Sequence, residues 1–368
     1  MFDRRLVQNF DWGLLGLTLL LGIIGLIILY SAVTAGTPEA QRVLCLKQLI
    51  WFCVGLVVML VCFLFDYKIL ERWALPIYIV CILLLLAVLI FGRYVGGSKR
   101  WLVLGPVSMQ PSELIKITVI IVVARYYAKV VNTIGLGIRE LIYPMAITFV
   151  PFVLIVGQPD LGTAMLIVVI VGTMTIFVKI DRRSLIGILV TSTIALPLVW
   201  FFFLKAYQKR RILTFLNPDR DPLGAGYHII QSKIAIGSGM IFGKGFLKGT
   251  QNALEFLPEQ HTDFIFSVLA EEWGFVGSLV LLLLFLMLIV WGLNVAQGCR
   301  EPFGTILAMG ITAMIFWQVF VNLGMVMGLM PVVGVPLPLI SYGGSSVVTI
   351  MISIGLLMNI SMRRFMIE

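Results

Sequence analysis

The sequence predicts an all-α polytopic membrane protein of about ten transmembrane helices, and three observations predict it. Only 12% of the 368 residues are charged, where a soluble globular chain usually carries about 25%. Mean hydropathy is +1.06. Apolar runs of about 20 residues, long enough to cross a bilayer as helices, recur from end to end.

Spans are expected at residues 12–33, 45–65, 73–91, 113–131, 140–157, 161–178, 184–204, 273–296, 304–328 and 346–361. The first begins with two arginines and an apolar stretch, as a secretory signal does. Its core from Trp12 to Tyr30 exceeds the roughly 7–15 residues of a signal's apolar region, so it reads as an uncleaved membrane helix. An even number of spans leaves both termini on one side.

Lys and Arg choose that side. One face carries Arg4, Arg5, Lys68, Arg72, Arg125, Lys129, Arg139, Lys179, Arg182, Arg183, Arg300, Arg363 and Arg364. The short loops of the other carry only Arg42, Lys47, Arg93, Lys99 and Arg100. The excess places both termini in the cytoplasm.

The five cysteines form no C-x-x-C pair, and four lie in or beside predicted spans, so they read as small packing residues. Two histidines, His228 and His261, are too few for a histidine-based metal site. No linker or internal repeat divides the chain, so residues 1–368 form one transmembrane domain.

Between the seventh and eighth spans, residues 205–263 are expected to form one large extracytoplasmic loop. Its cations, Lys205, Lys209, Arg210, Arg211, Arg220, Lys233, Lys244 and Lys248, mostly precede its acids. Contact with anionic membrane lipids accounts for them; so does a site for an anionic, phosphorylated substrate at the outer surface. Within it, IGSGMIFGKGFLKG is not a nucleotide loop. Gly239 and Gly243 are one residue too close, and Gly245 stands where a hydroxyl residue belongs. A flexible or tightly turned loop, offering Lys244 and Lys248 to an anion, remains.

Polar residues at membrane depth single out four further places. In WLVLGPVSMQPSELIKI, Pro111 and Ser112 start a helix, and Glu113 and Lys116 share a face three residues apart. They read either as a capping acid with a snorkelling lysine or as an inward-facing pair; a lysine this deep is costly unless paired. Asp160 follows Pro159 and reads as the cap of the sixth helix, on the outer side.

Asp263 stands before FIFSVLAEEWGF. It reads as an N-cap, or as a general base at the water–lipid boundary if residues 263–272 are interfacial and the span begins near Trp273. Finally, NLGMVMGLMPVVGVPLPLISYGGSSVV implies broken backbone covered by protein or lining a cavity, with Ser341, Tyr342, Ser345 and Ser346 offering hydroxyls.

Here the chain resembles the SEDS family (shape, elongation, division and sporulation), over essentially its whole length. Three blocks carry the resemblance: WLVLGPVSMQPSELIKI, LPEQHTDFIFSVLAEEWGF, and the pattern from Asn322 through Gly328, Pro331 and Gly334 to Ser341–Ser346. The resemblance implies a peptidoglycan glycosyltransferase polymerising lipid II outside the bacterial cytoplasmic membrane. It implies that Asp263 is the essential aspartate, Glu113 and Lys116 an important pair, and Asp160 an acidic position after the fifth helix. Its expected substrates are lipid II and a polyprenyl-pyrophosphate-linked glycan strand, and its partner a class B penicillin-binding protein. Nucleic acid is not among the partners.

On that reading Asp263 is the base, and Lys116, Arg210 or Arg211 meets the departing pyrophosphate. A divalent cation, Mg2+ or Mn2+, is a further charge partner. The short N-terminus and overall length point to elongation. A lipid II flippase is the alternative, but it needs a polar path to both faces, whereas Glu113, Asp160, Asp263 and the basic loop gather on one.

Overall fold

The computed structural model describes residues 10–34, 42–95, 98–104, 107–130, 135–217, 225–254, 256 and 260–364. Arg4, Arg5, Asp219, Arg220, Asp221, Glu255 and Glu259 lie outside the described residues. Among the described residues the helices are α1 Trp12–Thr34, α2 Arg42–Leu64, α3 Tyr67–Phe91, α4 Pro111–Val130, α5 Ile138–Gly157 and α6 Leu161–Phe177. They continue with α7 Arg182–Leu198, α8 Ala206–Leu216, α9 Ala225–Ser238, the single turn α10 Thr250–Ala253, α11 Ile265–Gly298, α12 Pro302–Val326 and α13 Gly344–Arg363.

Each of the ten expected spans falls on one of these helices. Eight are long and apolar enough by themselves to cross a membrane. Of the other two, α6 has only 17 residues. The other, α4, carries Glu113, Lys116, Arg125 and Lys129 along its length. The protein is an all-α polytopic membrane protein, with α12 and α13 its most buried helices.

A feature not expected from the sequence joins α3 to α4. Three antiparallel strands, β1 Arg93–Val95, β2 Ser98–Leu104 and β3 Val107–Met109, form a small sheet in that order. Gly96-Gly97 between two β-rich runs was the readable hairpin signal.

Prolines inside α5 show how the helices are matched. A proline lacks the N–H that would bond the carbonyl four residues back. Pro144 thus releases Glu140 O, and Pro151 releases Ile147 O. Tyr126 of α4 donates its hydroxyl to the first at 2.9 Å, and Tyr78 of α3 donates to the second at 2.9 Å.

Residues 205–263 depart from the expected open loop. Helix α9 packs into the bundle against α11 and α12, burying Ile229, Ser232 and Ala235. The Ser232 hydroxyl donates to Val326 O and lies 3.0 Å from the Ser267 hydroxyl.

Helix α11 also differs from its expectation. It begins at Ile265, and residues 265–272 are buried inside the protein rather than lying at the interface. The break comes at Gly274, with φ 66°, beside the expected start at Trp273. There the glycine-rich segment after α9 replaces a lost helical turn. Lys244 N and Gly245 N donate to Glu271 O and Glu272 O, while Phe275 N and Val276 N donate to Met240 O and Ile241 O. All four backbone groups freed by the kink are satisfied, as buried peptide groups must be. Gly243 and Gly274 allow this: a Cβ on Gly274 would lie 2.7 Å from Ile241 O.

At one end of the bundle, the start of α1 meets α11 and α13, where Ser361 Oγ and Trp291 Nε1 both donate to Asp11 Oδ2. The sheet, the 205–263 segment and the α12–α13 connection occupy the opposite end.

Candidate active site

At that opposite end, residues 327–343 run between α12 and α13 without regular structure and fold over the start of α11. Two side chains and one backbone amide fasten the two segments through backbone carbonyls. Asn322 Nδ2 donates to Asp263 O at 3.0 Å and to Val335 O at 2.7 Å. Ser341 Oγ donates to Thr262 O at 2.6 Å and accepts from Leu337 N at 2.8 Å. Tyr342 N donates to His261 O at 2.9 Å, and their rings lie 6.0 Å apart. Burial pushes the Tyr342 phenol up, so it stays protonated.

Asp263 is thus held through its own carbonyl and those of its two predecessors. Its carboxylate, half-buried, points along Gly334: a Cβ there would lie 3.2 Å from Asp263 Oδ2. Gly334 has φ 74°, a conformation that glycine adopts without strain. The aspartate does not cap α11. The N-cap residue is Phe264, and it makes no side-chain capping bond.

Further bonds draw three more helices in. Gln48 of α2 donates to Ser341 O at 3.1 Å and accepts from Gly343 N at 3.1 Å. Ser345 Oγ accepts from Gln110 N at 3.0 Å, setting the start of α13 against that of α4. One turn on, Lys116 Nζ donates to both oxygens of Glu113 at 2.9 Å, and both residues are almost wholly buried. The pair is inward-facing, as one of the two sequence readings held.

Asp160 does cap α6. It accepts from Thr163 N at 3.2 Å and from Thr163 Oγ1 at 3.0 Å. Arg100 of the sheet stands 3.7 Å away. The next turn touches the α12–α13 connection, since a Cβ on Gly162 would lie 2.5 Å from Val333 O, beside Gly334. Asp160, Asp263 and Glu113–Lys116 therefore border one connection and the helix starts beneath it.

The basic residues are less central. Arg210 is exposed and Arg211 half-buried on α8, which reaches the site through α9. His228 of α9 packs its ring 6.1 Å from that of Phe264, the residue after Asp263. Lys244 Nζ lies 2.6 Å from Glu271 Oε1 and 2.7 Å from Thr250 Oγ1. Glu272 accepts from Ser31 Oγ, so both glutamates are engaged by neighbouring elements.

Sequence reasoning missed Asn322 and Gln48 as individuals. Their signal was an amide side chain buried in an apolar helix, which requires partners. Among the described residues no three His, Cys, Asp or Glu side chains group as metal ligands. A Mg2+ or Mn2+ ion here would rest on one carboxylate, backbone carbonyls and substrate phosphates, a common arrangement for Mg2+.

Known proteins resemble the chain over nearly its whole length. The family model described as "Cell cycle protein", FtsW/RodA/SpoVE, matches residues 11–365. The peptidoglycan glycosyltransferase MrdB of Escherichia coli K12 is 46% identical over 353 residues, covering 95% of this chain and 94% of that one. The peptidoglycan glycosyltransferase RodA of Treponema pallidum is 36% identical, covering 98% and 99%. A chain from a peptidoglycan synthase complex that coordinates polymerization and crosslinking superposes with TM-score 0.82 at 32% identity, covering 97% of this chain and 98% of that one. With the family model spanning nearly the whole sequence, and the Asp263 end built from the same three blocks, the chain belongs to the FtsW/RodA/SpoVE family of cell cycle proteins.

Proposed function

We propose that this protein is a peptidoglycan glycosyltransferase that polymerises lipid II at the outer face of the bacterial cytoplasmic membrane, with Asp263 as general base. The single observation that carries the reading is the anchoring of residues 261–263 by Asn322, Ser341 and Tyr342. It holds one carboxylate at the membrane-boundary end of the bundle, against a connection that turns through glycine. The excess of Lys and Arg on the loops of the other end supports an outward-facing Asp263.

The acceptor is the GlcNAc 4-hydroxyl of an incoming lipid II. The donor is the growing strand, whose MurNAc C1 carries polyprenyl pyrophosphate. The acceptor oxygen bonds to C1 as the C1–O bond to pyrophosphate breaks; the hydroxyl proton passes to Asp263. An α-linked donor gives a β-linked product in one displacement, so no covalent enzyme intermediate is needed. Lys116, Arg210 and Arg211 are candidate partners for the departing pyrophosphate, and Glu113, Asp160, Ser341, Tyr342 and Ser345 shape its surroundings. Lys116 must first exchange its bonds to Glu113, whereas Arg210 is exposed on α8.

A divalent cation, if used, adds charge neutralisation at the pyrophosphate. The partner in this reading is a class B penicillin-binding protein that crosslinks the new strand, and the role is elongation.

The test incubates the purified chain and its transpeptidase with labelled lipid II, native against Asp263→Ala. Polymer from the native protein and none from a folded, partner-bound variant supports the reading. Polymer from both removes Asp263 from the mechanism. Lipid II crossing liposome membranes without polymer puts the flippase first.

A further inference from the structure

The last turn of α1 meets a group of buried polar side chains from α10, α11 and residue 260. Carbonyls in a helix's last turn have no partner within the helix. Here Asn252 Nδ2 donates to Ser31 O at 3.1 Å, and Gln260 Nε2 donates to Ala32 O at 3.2 Å. The Ser31 hydroxyl donates to Glu272 Oε1. Asn252, Gln260 and Glu272 are 1%, 6% and 1% exposed. Each nonetheless keeps one oxygen without a hydrogen bond: Asn252 Oδ1, Gln260 Oε1 and Glu272 Oε2. Thr34 Oγ1, at the end of α1, and Gln251 Oε1, beside Asn252, are buried and unpartnered as well.

The orientation of the two amides is fixed by their nitrogens. Turning either over would press its oxygen against a carbonyl oxygen of α1, and two acceptors cannot bond. What faces inward is therefore oxygen. Ser31 and Ala32 are consecutive, about 1.5 Å apart along the helix axis, so the three free oxygens gather around one turn.

Charge points the same way. Glu271 Oε1 accepts from Lys244 Nζ at 2.6 Å, from Thr250 Oγ1 at 3.1 Å and from Gln251 N at 3.0 Å. Among the described residues no cation pairs with the adjoining Glu272. The amides of Leu247 and Gly249 face its carboxylate without a hydrogen bond to Oε2. Two carboxylates and one ammonium leave one net negative charge, to which the C-terminus of α1 adds about half a charge. Buried charge is kept only where it is paired or coordinates a metal. Water would bring protons to these oxygens but no compensating charge; a cation answers both needs.

We propose that Glu272, Asn252 and Gln260 ligate a divalent cation of the calcium kind, with Thr34 and Gln251 completing the site. Calcium accepts carboxylate and Asn or Gln carbonyl oxygens in a flexible arrangement, whereas Mg2+ demands near-octahedral geometry and sheds water reluctantly. The ion ties α1 to α10 and α11, and it holds Gln260 three residues before Asp263. It is a brace, separate from any ion that meets pyrophosphate. Its binding stands independently of the glycosyltransferase reading.

The test strips the purified full chain with EDTA and returns Ca2+, Mg2+ or Na+ at constant ionic strength. Equilibrium dialysis against radiolabelled Ca2+ should find one tight site per chain. Thermal unfolding in detergent should rise by about 3–5 °C at saturating Ca2+. Glu272→Gln should lose both effects, and in EDTA it should unfold no earlier than the native chain, since it buries no charge. Glu301→Gln, at the opposite end of the bundle, should keep both. Should Glu272→Gln fail to fold, Asn252→Leu keeps the volume, removes one ligand oxygen and should weaken binding at least about tenfold.

An unfolding midpoint indifferent to Ca2+ overturns the site. So does a Ca2+ effect that survives Glu272→Gln, because the ion then lies elsewhere. An equal rise with Mg2+ or Na+ overturns the assignment to calcium. A Ca2+-stabilised native chain that makes no polymer upholds the site while removing the glycosyltransferase reading.

Discussion

The two ends of the bundle differ in what their polar side chains hold. At the end where Asp11 meets Ser361, carboxylates are spent on side chains of other segments. Tyr67 donates to Glu301 at 2.5 Å, Arg363 pairs with Asp66 at 3.3 Å, and Asp11 takes Trp291 and Ser361. Asn359 donates to the last carbonyls of α2, closing that helix. At the Asp263 end carboxylates are also engaged, Glu113 by Lys116 and Glu271 by Lys244, but around Asp263 itself uncharged side chains grip backbone: Asn322, Ser341, Gln48 and Ser345 each bond a peptide group of another segment. The first end is a clamp, the second a frame. A frame of neutral donors and acceptors positions Asp263 and its two predecessors through their backbone carbonyls.

The sharpest way to break this contrast is to remove the framed carboxylate. Asp263→Asn should lower polymerisation of lipid II by about 10²–10⁴-fold, the usual weight of a general base, with thermal unfolding in detergent unchanged. An unfolding midpoint that falls with the activity would make Asp263 structural, like the carboxylates of the other end.

Next in size is the Glu113–Lys116 ion pair, buried at the framed end. Lys116→Met leaves Glu113 buried without its cation and should destabilise the protein by about 3–5 kcal/mol. The double change Lys116→Met with Glu113→Leu should recover most of that stability but not the polymerase. Recovery of both would reduce the pair to packing.

Asn322→Leu tests the frame itself. It frees Asp263 O and Val335 O from their donor and should cost about 1–3 kcal/mol, with polymerisation falling more than stability accounts for. An unchanged specific activity in the folded fraction would show that the carboxylate needs no such anchor.

The smallest effect belongs to the clamp. Both partners of the Arg363–Asp66 pair are partly exposed, so Arg363→Gln should cost only about 0–1 kcal/mol and leave polymerisation intact. A loss of activity there would mean that the two ends are coupled through α13.

How far these sites could be read in the sequence depended on the range of the interaction. The Glu113–Lys116 couple was legible because three residues along a helix place side chains on one face. The Asp160 cap was legible for the same reason, its donor lying three residues ahead at Thr163. Asp263 was singled out by charge beside an apolar run, but its hold was not: Asn322 lies 59 residues from Asp263, and Ser341 79 from Thr262. The interfacial stretch expected at 263–272 failed because Glu271 and Glu272 looked too polar to bury. They are buried because Lys244, Thr250 and Ser31, from three other segments, meet them there.

By itself, then, the sequence determined the ten membrane helices, the shared face of Glu113 and Lys116 on α4 and the place of Asp263 beside an apolar run. Each follows from hydropathy over about 20 residues or from helical spacing, and both are local properties of a chain. Only the tertiary structure decided that the glycine-rich segment completes the broken turn at Gly274, that α9 enters the bundle, and that the α12–α13 connection frames Asp263. Those outcomes depend on which backbone groups are left unpaired after the helices pack, and buried peptide groups accept whichever partner the packing brings within reach.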